Sequence, residues 1–440
     1  MTSFSNDAKY VAELQRIEQL ISSKHLAPAT QGLDRLIKAQ PHDPRLFLLG
    51  SCLARAGNNP DGEFKLVVQA HHLAPKWAPA TIELAKVLVR VGQTDEALTM
   101  AEQAVQQATG PDEQVELLTQ AAEVAYRLAN REKSLVWLRM ADERKPDDLR
   151  IRYKMAITLS ATADFDGAIE VLTQLISLHP GKPALLAARF AACLGGKQMA
   201  LALSDAQALV ALEPDNEIFQ FYLAYARGEN PSVIPAALMV QHFDEYAVAF
   251  DQHLVRGLHY TLPRDVAQMI RAWHPDNKVD VLDLGCGTGL LGACLGPMEG
   301  VLVGVELSTA MIREAHRHSV YHKFHQVDLV EALGATPENQ YHVIAALDVL
   351  IYVGPLNSLV ANALRVLAPG GRFVFSCETD PDGVDDFKLQ RTLRYTHGPK
   401  YIRRVLKKAG FVDVNIEKRV IRHEVGAPVA GLLVTASKPS

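Results

Sequence analysis

The sequence predicts two architectures in one chain: an all-α repeat array over residues 1–230 and, over residues 231–440, an α/β unit with a mostly parallel sheet. Three observations carry this. Prolines recur at a fixed period in the first half, since Pro41 to Pro75, Pro146 to Pro180 and Pro180 to Pro214 each span 34 residues. The pattern breaks at Gly228-Glu229-Asn230-Pro231, a polar, proline-marked junction of the kind that separates folding units. Beyond it, apolar runs at Val279–Leu284, Val301–Glu306, His342–Leu347 and Arg372–Cys377 alternate with helix-compatible stretches, as in a parallel sheet covered on both faces. At 440 residues the chain is also long enough for two or three domains.

Each period of the first half reads as two helices. In Ile151–Pro180, Met155, Ala156 and Leu159 mark one apolar face and Ala168, Ile169, Leu172 and Leu175 another, joined at Asp164-Phe165-Asp166-Gly167. Small residues recur in phase at Ala97, Ser134, Ala168 and Ala202, where helices cross closely. The interval from Pro75 to Pro146 is 71 residues, and its surplus over two periods falls near Thr109-Gly110-Pro111. This Ala/Pro pattern resembles the tetratricopeptide repeat, with about six repeats over Asn6–Pro214 and a capping helix at Asn216–Arg227. The first two repeats are degenerate, with Glu63 at a small-residue position. Stacked repeats leave one face lined by side chains, so a protein partner is expected there; a plain scaffold or dimerisation surface is the competing use.

In the second half the chemistry-bearing residues fall at strand ends, where α/β sheets bind ligands. Val281-Leu282-Asp283-Leu284-Gly285-Cys286-Gly287-Thr288-Gly289 runs from a strand through a glycine loop into a helix at Leu290–Leu295. Glu306 ends the next strand, placed for a ribose diol, and Asp328 follows a third, so together they outline an adenosine site. A dinucleotide loop fits poorly: from Gly285 the sixth position of G-x-G-x-x-G is Leu290.

The loop resembles that of class I S-adenosylmethionine-dependent methyltransferases, in which an acidic residue precedes G-x-G-x-G. The likeness extends to Glu306-Leu307-Ser308, Asp328-Leu329, Ala346-Leu347-Asp348-Val349-Leu350, Leu367-Ala368-Pro369-Gly370-Gly371 and Lys408-Ala409-Gly410-Phe411, covering Met239–Lys438. The resemblance implies a Rossmann-like fold with a C-terminal antiparallel hairpin, Val412–Ile416 with Ala430–Ala436, which separates it from the dehydrogenases. With the repeats, and with Phe243-Asp244-Glu245-Tyr246-Ala247, Phe250-Asp251-Gln252-His253-Leu254 and Arg394-Tyr395-Thr396-His397, the chain resembles a bacterial family of tetratricopeptide-repeat-containing methyltransferases.

The resemblance implies S-adenosylmethionine as cofactor. Asp283, Gly285, Gly287 and Gly289 would seat its methionine and ribose, Glu306 and Leu307 the diol, and Asp328 and Leu329 the adenine. Leu347 would flank the methionine, with Tyr246 and Phe250 in a lid and Phe243 in plain helix packing. Asp348, His253 and His397 are the candidate general bases, Asp348 foremost because it follows the fourth strand. An N/D-P-P-Y motif is absent there, which lowers nucleobase N-methylation. The basic run Lys388, Arg391, Arg394, Lys400, Arg403, Arg404, Lys407, Lys408, Lys418, Arg419, Arg422 reads as the solvated face of a helix plus flanking loops.

The function expected is transfer of a methyl group to a protein, or to a small molecule presented by one, recruited by the repeats. An adaptor with a weakly active domain and a small-molecule enzyme with oligomerising repeats remain open. A formal net charge of −5 gives no field that favours nucleic acid. The five cysteines show no metal-ligand spacing, so no metal is expected. A polar Met1–Gln15 and the lack of an unbroken apolar span predict a cytoplasmic protein with no membrane segment.

Overall fold

The computed structural model describes residues 7–240, 243, 260–380, 383, 386–424 and 427–440. It divides into two compact units, Met1–Ala192 and Cys193–Ser440. The division falls inside the helix Pro183–Gly195, so the proline-marked junction at 230/231 lies within the second unit.

The first unit is a series of antiparallel helix pairs: α1 (Ala8–Ser22) with α2 (Leu26–Ala39), α3 (Pro44–Ala56) with α4 (Pro60–Leu73), α5 (Ala78–Arg90) with α6 (Thr94–Gln106), α7 (Pro111–Arg127) with α8 (Arg131–Arg144), and α9 (Leu149–Ala161) with α10 (Phe165–Leu178). The helix Pro183–Gly195 (α11) follows, and α12 (Met199–Leu212) and α13 (Glu217–Ala226) belong to the second unit. The ladder prolines each sit in the turn after the second helix of a pair. Starts are set by side chains: Asp43, Asn59, Asn130, Asp148 and Asp164 each accept a hydrogen bond from a backbone N–H two or three residues on.

The turn inside each pair carries one left-handed residue, at Lys24, Asn58, Gly92, Ala129, Ala163 and Lys197. Their spacing is 34 residues throughout except for 37 between Gly92 and Ala129, which locates the surplus three residues. The in-phase small residues Ala97, Ser134, Ala168 and Ala202 are buried where helices cross. Glu63 is buried too, its carboxylate held by Arg55 Nε at 2.5 Å and Arg90 Nη2 at 2.6 Å.

In the second unit, nine strands among the described residues form one sheet. They are β1 (Val281–Leu284), β2 (Leu302–Glu306), β3 (Lys323–Gln326), β4 (Tyr341–Ala346), β5 (Leu367–Glu378), β6 (Phe387–Leu389), β7 (Tyr395–His397), β8 (Val412–Glu424) and β9 (Ala427–Ser437). The path β3-β2-β1-β4-β5-β7-β6 is parallel from β3 to β7, and β9 runs antiparallel between β5 and β8. Leu282, Leu284, Val303, Ile344 and Phe373 pack one face against Leu333, Leu359 and Leu406. On the other face Val281, Leu302, Val343 and Val374 meet Val266, Ile270 and Leu291. Strand order reverses between β1 and β4, which puts a crevice at their carboxyl ends.

The final hairpin is longer than the sequence suggests, since β8 runs on through Glu417, Lys418 and Arg419. It is an edge strand, and charged side chains are tolerated along an exposed edge. The junction segment is stitched to the β6–β7 hairpin. Asn230 Oδ1 accepts from the Leu389 N–H at 2.9 Å, the Tyr395 hydroxyl donates to the Pro231 carbonyl at 2.5 Å, and Phe221 of α13 shares a cluster with Ile234, Leu389 and Tyr395. Among the described residues no helix is long and apolar enough to cross a membrane.

Candidate active site

The glycine loop leaves β1 with three positive φ angles, +65° at Gly285, +53° at Gly287 and +84° at Gly289. At Gly285 a Cβ would stand 2.3 Å from Val349 Cγ2, so glycine is required there by space as well as by conformation. Glu306, at the end of β2, clamps the loop: its Oε2 accepts from the Gly287 N–H at 3.0 Å and its Oε1 from the Ser308 N–H at 2.9 Å.

Asp283 is 2% exposed. Burial pushes its carboxyl up to about 7, assisted by the Glu306 charge and opposed by a 2.6 Å hydrogen bond from the Tyr321 hydroxyl. That hydroxyl also accepts from the Gly292 N–H at 3.2 Å. The Tyr321 ring lies where Cβ atoms at Gly289 and Gly292 would be, at 3.0 and 2.3 Å. Nothing in the local sequence marks Tyr321, which reaches Asp283 from 38 residues away.

At the ends of β4 and β5 lies a network of three carboxylates and two guanidinium groups. Arg422, 3% exposed, donates through Nη1 to Asp348, through Nη2 to Glu378 and through Nε to Glu424 at 3.0 Å. Arg394 Nη2 reaches Glu424 at 2.7 Å, and its Nε lies 2.9 Å from Glu378. Burial raises the Asp348 carboxyl to about 6, although Arg422 opposes this; Glu378 adds to it. Asp348 has φ +55°, and its N–H donates to Ser376 Oγ at 2.8 Å. Tyr260 is buried within the fields of both Asp348 and Asp283, and burial followed by the Asp348 charge holds its hydroxyl well above the usual range.

The basic run is therefore not one solvated face. Arg394 and Arg422 turn inward to this network, Arg419 pairs with Asp265 at 2.5 Å, and Arg404 pairs with Asp386. Arg403, Lys407 and Lys408 of the helix Pro399–Ala409 stay exposed, as the sequence suggests. The rule that singled out Glu306 and Asp348, a carboxylate at a strand end, applies equally to Glu378 and would have found it.

Of the other expected site residues, Asp328 caps the helix Leu329–Ala335, its Oδ1 accepting from the Val330 N–H at 2.8 Å. Leu329 is buried in the core, and Leu307 and Leu347 are half-buried at their strand ends. His397 is fully buried, stacked on Tyr401 at 6.1 Å with Nε2 2.9 Å from the Gly354 carbonyl. Burial drives its pKa down to about 4, so the ring is neutral at ordinary pH. Phe243 meets Tyr352 edge-on at 5.6 Å, a packing contact. Tyr246, Phe250 and His253 lie outside the described residues.

Residues 282–373, which span β1 to β5, match the family model described as a methyltransferase domain. The second unit carries a methyltransferase domain. The chain is 32% identical over 101 residues to the ubiquinone biosynthesis O-methyltransferase of Psychrobacter arcticus, a match covering 22% of this chain and 39% of that protein. Against the same enzyme of Pseudomonas fluorescens the identity is 29% over 100 residues, covering 22% and 43%. The chain thus spans about two fifths of the length of the curated relatives it matches. Among solved structures it is similar to Pseudomonas aeruginosa pilF, with a TM-score of 0.41 and 13% identity over 49% of this chain and 96% of that one. It is also similar to Haemonchus contortus phospholethanolamine N-methyltransferase 2, with a TM-score of 0.32 and 18% identity over 39% and 51%. The methyltransferase domain follows an array of tetratricopeptide-type helix pairs, fixed by the 34-residue recurrence of the left-handed turn residue.

Proposed function

We propose that the protein is an S-adenosylmethionine-dependent methyltransferase whose repeat array brings in a protein acceptor, or a small acceptor presented by a protein. The observation that carries the reading is Asp283, a buried carboxylate beside a second acid, at the mouth of a turn with three glycines at positive φ. Such a group is costly in isolation and gains from a bound cation. The residues suit the cofactor: the positive φ angles of Gly285, Gly287 and Gly289 turn the loop sharply at the strand end, Asp283 offers a counter-charge to its cationic methionine portion, and Glu306 offers acceptors for its ribose hydroxyls. Asp328 and Leu329 would flank the adenine, and Leu347 the methionine.

When bound, the cofactor supplies an activated methyl group on a sulfonium. Asp348 takes the proton that an acceptor O–H or N–H loses as its new bond to carbon forms. Its pKa near 6 leaves it ionised at neutral pH yet basic enough to accept that proton. Arg422 fixes its orientation.

Two measurements test the reading. S-adenosylmethionine at 100 times Kd should stabilise the second unit by about 2.7 kcal/mol, and NAD should not; a shift with NAD alone would overturn it. Transfer of labelled methyl into a size-fractionated lysate should then mark a macromolecular fraction, and label confined to small molecules would remove the recruiting role.

A further inference from the structure

A groove of about 580 Å³ runs across the first helices of four successive repeats, α1, α3, α5 and α7. Its floor is apolar, with Leu48, Leu49 and Trp77 half-buried beside the buried Leu14, Ile82 and Leu117. Its charge is acidic: among the described residues Glu18, Glu83, Glu113 and Glu116 line it against a single cation, Arg45. Several of these charges are already used. Arg45 holds Asp43 at 2.6 Å, Glu83 holds Arg55 and Lys86, and Glu116 holds Arg150. Glu18 on α1 makes no ion pair among the described residues, and Glu113 on α7, whose Oε2 accepts from the Thr109 N–H at 2.8 Å and hydroxyl at 2.5 Å, has no cation against it there either, so negative charge stands at the two ends of an apolar trough.

We propose that this groove seats an extended protein segment carrying apolar side chains between two cationic ones. Four helices packed about 8–10 Å apart offer roughly 25–30 Å, the reach of eight or nine extended residues at about 3.3 Å each. Apolar side chains cover the floor around Trp77, and the terminal cations meet Glu18 and Glu113. The inference rests on the reading of the array as the recruiting module, and names what that module selects.

The test uses the full-length protein and a labelled nine-residue peptide with lysine at both ends and leucine at alternate interior positions. The same peptide with glutamate ends is the comparison. Wild type should prefer the lysine peptide, and Glu18→Lys with Glu113→Lys should reverse the preference. Each Kd should move by about tenfold, the size expected when two exposed ion pairs become repulsions. Leu49→Asp should weaken both peptides. An unchanged preference, no binding of either peptide, or self-association of the free protein that the charge reversal abolishes would overturn the proposal; the last would assign the groove to a second copy. Labelled methyl transfer, measured on the same preparations, separates this from the broader reading. If it persists while the peptide result fails, the enzyme reading stands and only the groove's occupant is wrong.

Discussion

Replacing Asp283 by asparagine tests whether the glycine loop is built around a charge waiting for a counter-charge. In the folded protein the carboxyl sits at about 7 against an ordinary 3.8, so the folded state holds the proton more tightly than the unfolded state. Below pH 4 both states are protonated and the difference vanishes. As pH rises from about 4 to 7 only the unfolded state ionises, and the ligand-free protein loses stability at up to about 1.4 kcal/mol per pH unit. The loss reaches roughly 4 kcal/mol above pH 7. Asparagine keeps an oxygen for the Tyr321 hydroxyl but adds a buried NH2, which costs about 1–3 kcal/mol if unpaired. Asp283→Asn should therefore be less stable than wild type near pH 4.5 and more stable at pH 8, with the curves crossing between. Urea unfolding followed by Trp273 emission, with Trp77 and Trp137 replaced by phenylalanine in both proteins, isolates the second unit. The same variant should lose most of the stabilisation by S-adenosylmethionine at pH 8. A stability difference that stays constant from pH 4.5 to 8 would refute the buried charge, and an undiminished cofactor shift would refute its role.

Glu306→Gln keeps one acceptor for the loop N–H groups but removes the charge, so cofactor Kd should rise about 10- to 100-fold in calorimetry while the fold survives. If Asp348 is the base, turnover should fall tenfold per pH unit below about 6 and level off above it, and Asp348→Asn should flatten that limb in a pH-rate profile. Ala163→Gly should raise the urea midpoint of the array by the equivalent of about 0.5–1 kcal/mol, because Ala163 holds φ +62°, and Gly92→Ala should lower it.

The parts of this molecule legible in its sequence are those set within a few residues of chain. The repeats announce themselves because one 34-residue unit must bury the same small-residue positions each time, from Ala97 to Ala202. The glycine loop, Glu306 and Asp348 are legible because strand ends and tight turns impose local residue types. Asp283 stands out as an acid just before the glycine loop, but its hydroxyl partner Tyr321 does not, since the contact depends on how the segment before β3 folds back over the loop. The same reason hid the network at Asp348. Arg422 is 74 residues from Asp348 and 44 from Glu378, and only the antiparallel insertion of β9 between β5 and β8 brings them together.

A detail of that hairpin explains why the basic run misled. Along a regular strand successive side chains face opposite sides, and an edge strand as charged as β8 would send its arginines outward. The β8–β9 register shifts between Val420 and Arg422, and at this bulge Ile421 and Arg422 are both buried, at 2% and 3% exposure. A bulge re-aims side chains next to functional sites. Here it turns one arginine of an otherwise solvated run onto three carboxylates. Two guanidinium groups cannot neutralise three acids, so one negative charge is left over. The partly exposed Asp348, at the strand end, has the raised pKa. A cluster selected only for stability would gain by losing that surplus acid or by becoming apolar. Its place at the end of β4 suits the proposed base, which must take one proton from an acceptor and return it to water.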